Sequence, residues 1–172
     1  IDDNSAIPNS DLLYMQQLSS MNTVAIVKDE DGIYQRCQFS MIRNSTSGSY
    51  EGHLDQKEEL KGNAAMIEDA EYTVIDKLNG FLYFSIGNKL YTYRKGIDEC
   101  VEVNLQGVNF DPIVSLNVIA RNDYKANIFV ATYSETNKGK VYRLTPESTD
   151  SRNLTVEEVI DTEGAVKCIT YW

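Results

Sequence analysis

The chain has 172 residues, of which 42% are apolar, and this is enough for one globular domain with a core of normal size. It carries 16 Lys and Arg residues against 26 Asp and Glu residues, which gives a formal net charge of −10. Such a charge repels phosphate backbones and anionic lipids, so it argues against nucleic-acid binding and membrane-surface binding as main functions. No apolar run of about 18 residues occurs, so we do not expect this region to insert into a membrane.

The N-terminal segment, residues 1–10, is polar and begins with Ile1 rather than Met. It contains no apolar stretch of the kind found in signal peptides. We therefore expect residues 1–10 to be flexible and the chain to be a fragment of a longer protein. Any targeting signal would then lie upstream.

A first set of strand-like segments follows. Its members are rich in aromatic and β-branched residues and are separated by turn residues. They are residues 12–18, 22–28 and 32–39, with 49–54 as a weaker fourth member. Residues 54–70 lack the alternation of a strand and are rich in Glu, Lys, Ala and Met, on both sides of Gly62. This composition predicts a short helix or a long loop.

The second set surrounds the turn Gly87-Asn88, in the stretch GNKLYTY. A two-residue polar turn between apolar runs is typical of a β-hairpin. Four predicted strands occur here, at residues 71–78, 80–86, 89–93 and 99–105.

The third set repeats that order with polar turns between its strands. Its predicted strands are residues 113–120, 126–133, 139–145 and 154–161. A last segment, residues 165–172, is predicted to be the first strand of a further set or a strand that completes an earlier one.

Each set carries a tyrosine in its third strand, at Tyr34, Tyr91 and Tyr142. These positions are roughly 50 to 60 residues apart, somewhat above the usual length of a four-stranded propeller blade. The sequence thus predicts an all-β, propeller-like domain over residues 1–172, with about three blades and one strand, in which the tyrosines pack between blades. Missing blades upstream or a partner would cover the open ends. A β-sandwich is the alternative.

Several residues have both a chemical and a structural interpretation. His53 is the only histidine, and no nucleophile motif accompanies it, so we interpret it as a surface or packing residue. The acidic turn from Asp29 to Asp31 resembles a calcium loop, but Asp and Gly also suit a hairpin turn, which we favour. Glu157 and Glu158 are interpreted as solvated strand residues rather than a glycosidase pair. The sequence predicts no catalytic residue, metal ligand or cofactor.

The three cysteines, Cys37, Cys100 and Cys168, match no metal-binding spacing and are predicted to be buried free thiols. An exported protein would also permit a disulfide.

Eleven tyrosines and one tryptophan are the most notable excess in the composition. Exposed aromatic rings stack on the apolar faces of sugars and also anchor protein interfaces. Tyr50, Tyr124 and Trp172 lie in predicted turns or at an end of the chain, so these three are the candidate binding residues.

Three stretches carry a resemblance to a known family. They are LYFSIGNKLYTYRKG (82–96), IFVATYSETNKGKVYRL (128–144) and GAVKCITYW (164–172). Together they resemble the C-terminal part of Bacteroidetes lipoproteins with PKD-like domains, which are encoded beside starch-utilisation-type uptake systems. The resemblance covers roughly residues 65–172 and covers the first 60 residues poorly. It supplies no catalytic residues.

The resemblance implies an exported protein held at the outer membrane or cell surface by a lipid anchor upstream of this chain, or a periplasmic one. The expected function is a non-enzymatic binding or scaffolding module for glycan acquisition, with a glycan or a neighbouring surface protein as partner. Two alternatives remain open: part of a glycan-acting hydrolase or lyase with a propeller fold, and a purely structural spacer. Neither the ligand nor the oligomeric state follows from the sequence.

Overall fold

The computed structural model describes residues 10–94, 96–120, 126–147 and 149–169, and in them the chain is all-β, as predicted. Three four-stranded antiparallel sheets occur, each a meander whose strands are in chain order. The chain divides into two compact units, Ile1–Glu68 and Asp69–Trp172, which are described separately. The single domain over residues 1–172 stays a prediction.

Sheet 1 forms the first unit. Its strands are β1 (Asp11–Gln17), β2 (Asn22–Lys28), β3 (Tyr34–Arg43) and β4 (Tyr50–Leu60). One face carries a small apolar cluster made by alternate residues of β2, β3 and β4. The cluster consists of Ala25, Val27, Cys37, Phe39 and Leu54.

The prediction for residues 54–70 was wrong in its first half. Residues 54–60 continue β4, which is an edge strand of sheet 1. Most of this strand is exposed, so its side chains need no apolar alternation. A short 3-10 helix, Ala64–Asp69, then follows, with Ala64 and Ile67 buried.

Sheets 2 and 3 form the second unit. Sheet 2 contains β5 (Tyr72–Ile75), β6 (Leu82–Ile86), β7 (Lys89–Arg94) and β8 (Glu99–Glu102). Sheet 3 contains β9 (Ile113–Ala120), β10 (Ala126–Ser134), β11 (Lys138–Glu147) and β12 (Asp150–Thr162). The predicted strand at 165–172 is not formed over 165–169, and the remaining residues of that prediction lie outside the described part of the chain.

The main core lies between sheets 2 and 3. Alternation places one face of each strand inward, so apolar side chains of the two sheets meet there. The fully or nearly buried members are Val74, Tyr83, Leu90, Val103, Phe110, Ile113, Leu116, Ile128, Val130, Tyr142, Leu144 and Leu154. The second face of sheet 2 is also buried and apolar, through Ile75, Leu82, Phe84, Tyr93 and Cys100.

The hairpin between β6 and β7 confirms the predicted turn at Gly87-Asn88. Ile86 pairs with Lys89, so the turn has two residues. Gly87 has φ 61°, which a residue with a Cβ adopts only at a cost. The Asn88 side chain donates to the carbonyl oxygen of Phe110 at 3.3 Å and ties the turn to the connection between the sheets.

The tyrosines in the third strand of each set, Tyr34, Tyr91 and Tyr142, have different surroundings. Tyr142 packs in the core against Phe110, with ring centroids 4.8 Å apart. Tyr91 stacks on Phe84 at 5.6 Å. Tyr34 instead begins β3, is half-buried and donates its hydroxyl to Glu68, so its packing between blades stays a prediction.

Gly139 of β11 lies close against the backbone that follows β12. It pairs with Thr162, and a Cβ added at Gly139 would overlap the Thr162 hydroxyl and the carbonyl oxygen of Gly164. We expect Gly139→Ala to lower the free energy of unfolding by about 1–2 kcal/mol, because backbone must move to admit the methyl group. Urea unfolding followed by circular dichroism measures it. The control is Gly164→Ala, whose Cβ would meet nothing within 4 Å; equal midpoints for the two variants would refute the prediction.

Candidate binding site

Of the predicted binding residues, Tyr50 is the one that the structure describes. Tyr50 is the first residue of β4, and its side chain is 58% exposed. Tyr124 and Trp172 lie outside the described residues. The candidate site is therefore built around Tyr50.

Tyr50 lies on a hairpin that extends beyond the rest of sheet 1. β2 begins at Asn22, opposite Ser40, whereas β3 and β4 continue to pair as far as Arg43 and Tyr50. We call residues 41–52 the hairpin tip. All of its residues are exposed except the half-buried Asn44.

The turn of the hairpin tip is organised by the side chain of Asn44. Its Oδ1 accepts the backbone N–H groups of Thr46 at 2.9 Å and Ser47 at 3.1 Å. Its Nδ2 donates to the Glu51 carboxylate at 2.7 Å. An Asn side chain that mimics a backbone turn in this way restricts the conformations of the loop.

Backbone hydrogen bonds close the same turn. The N–H of Gly48 donates to the carbonyl of Asn44 at 2.9 Å, and Gly48 has φ 71°. The N–H of Asn44 donates to the carbonyl of Ser49 at 2.8 Å, while the hydroxyls of Ser47 and Ser49 bond each other at 2.6 Å. The tip thus presents hydroxyl and amide groups on a preorganised turn.

Arg43 and Tyr50 are direct cross-strand neighbours and share a face. Because the next pair toward the turn, Asn44 and Ser49, is hydrogen-bonded, Arg43 and Tyr50 form the closer, non-hydrogen-bonded type of pair, with Cα atoms about 4.5 Å apart. Arg43 forms no ion pair with another described residue. A guanidinium and an aromatic ring are therefore presented together to solvent.

Apolar groups extend this face toward sheet 1. Met41 lies on the face of Tyr50, two residues before Arg43, and is exposed. Ile42, also exposed, lies on the opposite face. Phe39 and Leu54 continue the Tyr50 face into the apolar cluster of sheet 1. The face of the tip that carries Tyr50 thus continues the apolar face of sheet 1 into solvent.

The opposite face of sheet 1 buries polar groups around Val24 and Ile26. The Tyr14 hydroxyl donates to Gln16 at 2.6 Å, and burial raises the pKa of Tyr14 to about 12. Burial also lowers the pKa of the Arg36 guanidinium, against a raising effect of Glu58. These shifts are costs of placing polar side chains beside apolar ones.

Lys28, Tyr34 and Glu68 form a surface cluster that the sequence did not predict. Lys28 Nζ lies 2.8 Å from Glu68 Oε1, and the Tyr34 hydroxyl donates to the same oxygen. The hydrogen bond to Glu68 raises the pKa of both Lys28 and Tyr34, and the bond from Lys28 lowers the pKa of Glu68. Each group is held in its ordinary protonation state, so the cluster is suited to fastening the 3-10 helix rather than to acid–base chemistry.

The acidic turn confirms the hairpin interpretation. Asp29 Oδ1 accepts the backbone N–H groups of Asp31 at 3.1 Å and Ile33 at 2.9 Å, and Asp29 Oδ2 accepts the side chain of Gln35 at 2.6 Å. Gly32, with φ 78°, completes the turn. Among the described residues, no three His, Cys, Asp or Glu side chains are grouped so that they could hold a metal ion.

The other acidic candidates are strand-surface residues, as interpreted from the sequence. Glu157 pairs with Arg143, and Glu158 accepts from Lys140 at 2.9 Å, both across β11 and β12. His53 is exposed on β4, opposite Ser40.

The cysteines match their prediction only in part. Cys37 and Cys100 are buried and in no disulfide, and burial raises the pKa of both thiols, that of Cys100 to about 11. Cys168 is free but exposed, so the prediction that it is buried was wrong. Residues 165–169 around it are not in a strand, and the Asn117 side chain of β9 donates to the carbonyl of Ile169.

No protein-family model matches the chain, and neither a curated protein nor a solved structure does. In the part of the chain that the structure describes, no helix is both long and apolar enough to cross a membrane. The described residues form an all-β protein of three meanders, with Tyr50 exposed on the hairpin tip.

Proposed function

We propose that this chain is a non-enzymatic binding or scaffolding module of an exported glycan-acquisition lipoprotein, and that its ligand contacts lie on the hairpin tip. The observation that carries the proposal is the exposed ring of Tyr50 beside a turn locked by Asn44. Sugar rings present one apolar face and a rim of hydroxyls, so an aromatic platform with nearby polar groups suits them.

Preorganisation is the second argument for the tip. A flexible loop would lose conformational entropy on binding, and this cost weakens affinity. Asn44 and Gly48 already fix the loop through five hydrogen bonds to backbone and side-chain groups. A ligand therefore meets a surface whose shape is set before binding.

A propeller-type arrangement of the meanders is part of the proposal, with a β-sandwich as its alternative. In the second unit, β5 lies beside β9 and β7 beside β12, so the sheets face each other in the same strand order. Asn104, just after β8, also bridges in parallel to Asn153 of β12. Adjacent propeller blades stack in this way. Export to the outer membrane or periplasm rests on the family resemblance.

A neighbouring surface protein is the second candidate ligand. Met, Tyr and Arg are enriched in the cores of protein interfaces, and Met41, Arg43 and Tyr50 lie together on one face of the tip. This partner predicts capture of another protein and no saturable binding of polysaccharide. A hydrolase or lyase predicts release of sugar ends, and a spacer predicts no ligand at all.

We expect Tyr50→Ala to weaken binding of the ligand polysaccharide roughly fivefold, since an aromatic stack contributes about 1 kcal/mol. The assay is affinity electrophoresis and titration calorimetry against plant, host and microbial polysaccharides, with reducing ends measured in the same samples. The matched control is Tyr72→Ala, which removes an exposed tyrosine from β5.

Equal melting temperatures of the variants would show that the change in binding is local. If Tyr50→Ala binds as the wild type does, the hairpin tip is not the site. New reducing ends would overturn the non-enzymatic assignment in favour of the enzyme. Failure to bind any polysaccharide would favour the spacer or the protein partner.

A further inference from the structure

Arg43 is the only basic residue of the hairpin tip, and Glu51 is its only acidic residue. The two point to opposite faces, because Arg43 pairs with Tyr50 and Glu51 pairs with Ile42. Glu51 is also engaged by the amide of Asn44. The face of Tyr50 thus carries one positive charge and no carboxylate within the tip.

Elsewhere in the described strands, basic side chains commonly have a carboxylate beside them. The pairs include Lys28 with Glu68, Lys89 with Glu102, Arg94 with Asp150, Lys138 with Glu135, Lys140 with Glu158 and Arg143 with Glu157. With 26 acidic residues against 16 basic ones, a partner for every cation is easily supplied. Arg43 is exposed, pairs with no carboxylate of the described residues and lies beside an exposed aromatic ring, so it suits a ligand that brings its own negative charge.

We propose that the Arg43–Tyr50 pair binds an anionic polysaccharide, carrying carboxylate or sulfate groups. This inference rests on the proposed function and names its ligand class. Tyr50 stacks on the face of a sugar ring, and Arg43 receives the acidic group that projects from the rim of that ring. A planar guanidinium suits this task because it donates two parallel hydrogen bonds to a carboxylate or a sulfate.

The position of Arg43 fits this geometry. Its terminal nitrogen lies along the turn, 3.8 Å from where a Cβ on Gly48 would be. The guanidinium is therefore displaced toward the end of the tip. Charged substituents project from the edge of a stacked sugar ring, and the proposal places them against this guanidinium.

The net charge of −10 limits the binding of polyanions to sites with a specific local contact. A protein with this charge repels polyanions over most of its surface. Binding of an anionic polymer thus requires a local contact that outweighs the repulsion, and unspecific adsorption contributes little. A polyanion that binds this chain should do so through few cations, of which Arg43 is the one beside an aromatic platform.

The test uses two pairs of polymers that differ only in charge: dextran sulfate against dextran, and polygalacturonate against its fully methyl-esterified form. We expect the wild type to bind at least one charged polymer about tenfold or more tightly than its neutral counterpart. Arg43→Gln should abolish that preference, and Arg43→Lys should restore only part of it, since a lysine keeps the charge without the planar fork. Lys57→Gln, which removes an exposed cation of β4 outside the tip, is the control and should change nothing.

The outcomes separate this inference from the proposed function. Equal binding of charged and neutral polymers, unchanged in Arg43→Gln but weakened in Tyr50→Ala, overturns the anionic ligand and leaves the binding module in place. Equal losses in Lys57→Gln and Arg43→Gln overturn the inference as well, because they indicate general charge rather than a site. Binding of none of the four polymers by the wild type overturns it outright, and a search for a neutral glycan or a protein partner then tests the proposed function alone.

Discussion

Replacing Ile128 with alanine is expected to lower the free energy of unfolding by about 3 kcal/mol, within the range for a large-to-small change in a closed core. Ile128 is the third residue of β10 and is 0% exposed. Its cross-strand neighbours on the same face are Val118 and Leu144, and the inward face of sheet 2 covers it from above. The neighbours cannot collapse around the missing atoms, so a cavity remains.

Urea unfolding of the whole chain, followed by far-ultraviolet circular dichroism, measures this loss as a lower midpoint. The matched control is Ile160→Ala, in the neighbouring region of sheet 3, where the side chain is 53% exposed. We expect that control to change the stability by less than about 1 kcal/mol, because little apolar surface returns to water. If both variants lowered the midpoint equally, the burial assigned to Ile128 would be wrong.

The core of sheet 3 was predictable because its strands obey a simple rule. Segments 113–120 and 126–133 place apolar residues at every second position, and β9 and β10 follow these segments closely. The turn Gly87-Asn88 was equally predictable, since two-residue β-hairpin loops favour a glycine at their first position. Local patterns of this kind give the number and order of strands.

Long-range pairing was not predictable from such patterns. Residues 54–60 form a strand although their composition suggests a helix, because their backbone pairs with β3. An exposed edge strand can be polar on both faces, so the sequence carries no alternation. Glu68 meets Lys28 and Tyr34 across a distance in sequence of 34 to 40 residues, for which the chain carries no signal. Propensity is a weak guide wherever tertiary contacts provide the stabilisation.

The candidate site was predictable only in its central residue. An aromatic residue among polar residues drew attention to Tyr50 as a candidate for ligand contact. The partnership of Tyr50 with Arg43 required the register of β3 and β4, which a one-residue shift would have reversed to the other face. The signal that could have found it is the run of turn-forming residues at 44–49, because Arg43 and Tyr50 flank that run at equal distances.

We also expect the loss of the Asp76 side chain to lower the free energy of unfolding strongly. Asp76 follows β5, is 0% exposed and organises the loop to β6. Its carboxylate accepts the backbone N–H of Leu78 at 2.8 Å and the side-chain amide of Asn79 at 2.7 Å. Hydrogen bonds to a charged acceptor contribute more than neutral ones, and the donors left behind would lose their partner in a partly buried loop. Asp76→Ala should therefore cost about 3 kcal/mol.

Two further variants separate the hydrogen bonds of Asp76 from its volume and charge. Asp76→Asn keeps one oxygen acceptor in place, so we expect it to retain about half of the stability that the alanine variant loses. Asp111→Ala removes a carboxylate that accepts a bond from Asn137 at an exposed position and should change the stability by no more than about 0.5 kcal/mol. Hydrogen exchange at Leu78 provides the local readout, since its amide should lose protection in Asp76→Ala and keep it in Asp76→Asn. Protection of that amide in both variants would mean that Asp76 does not hold the loop, whatever the change in the unfolding midpoint.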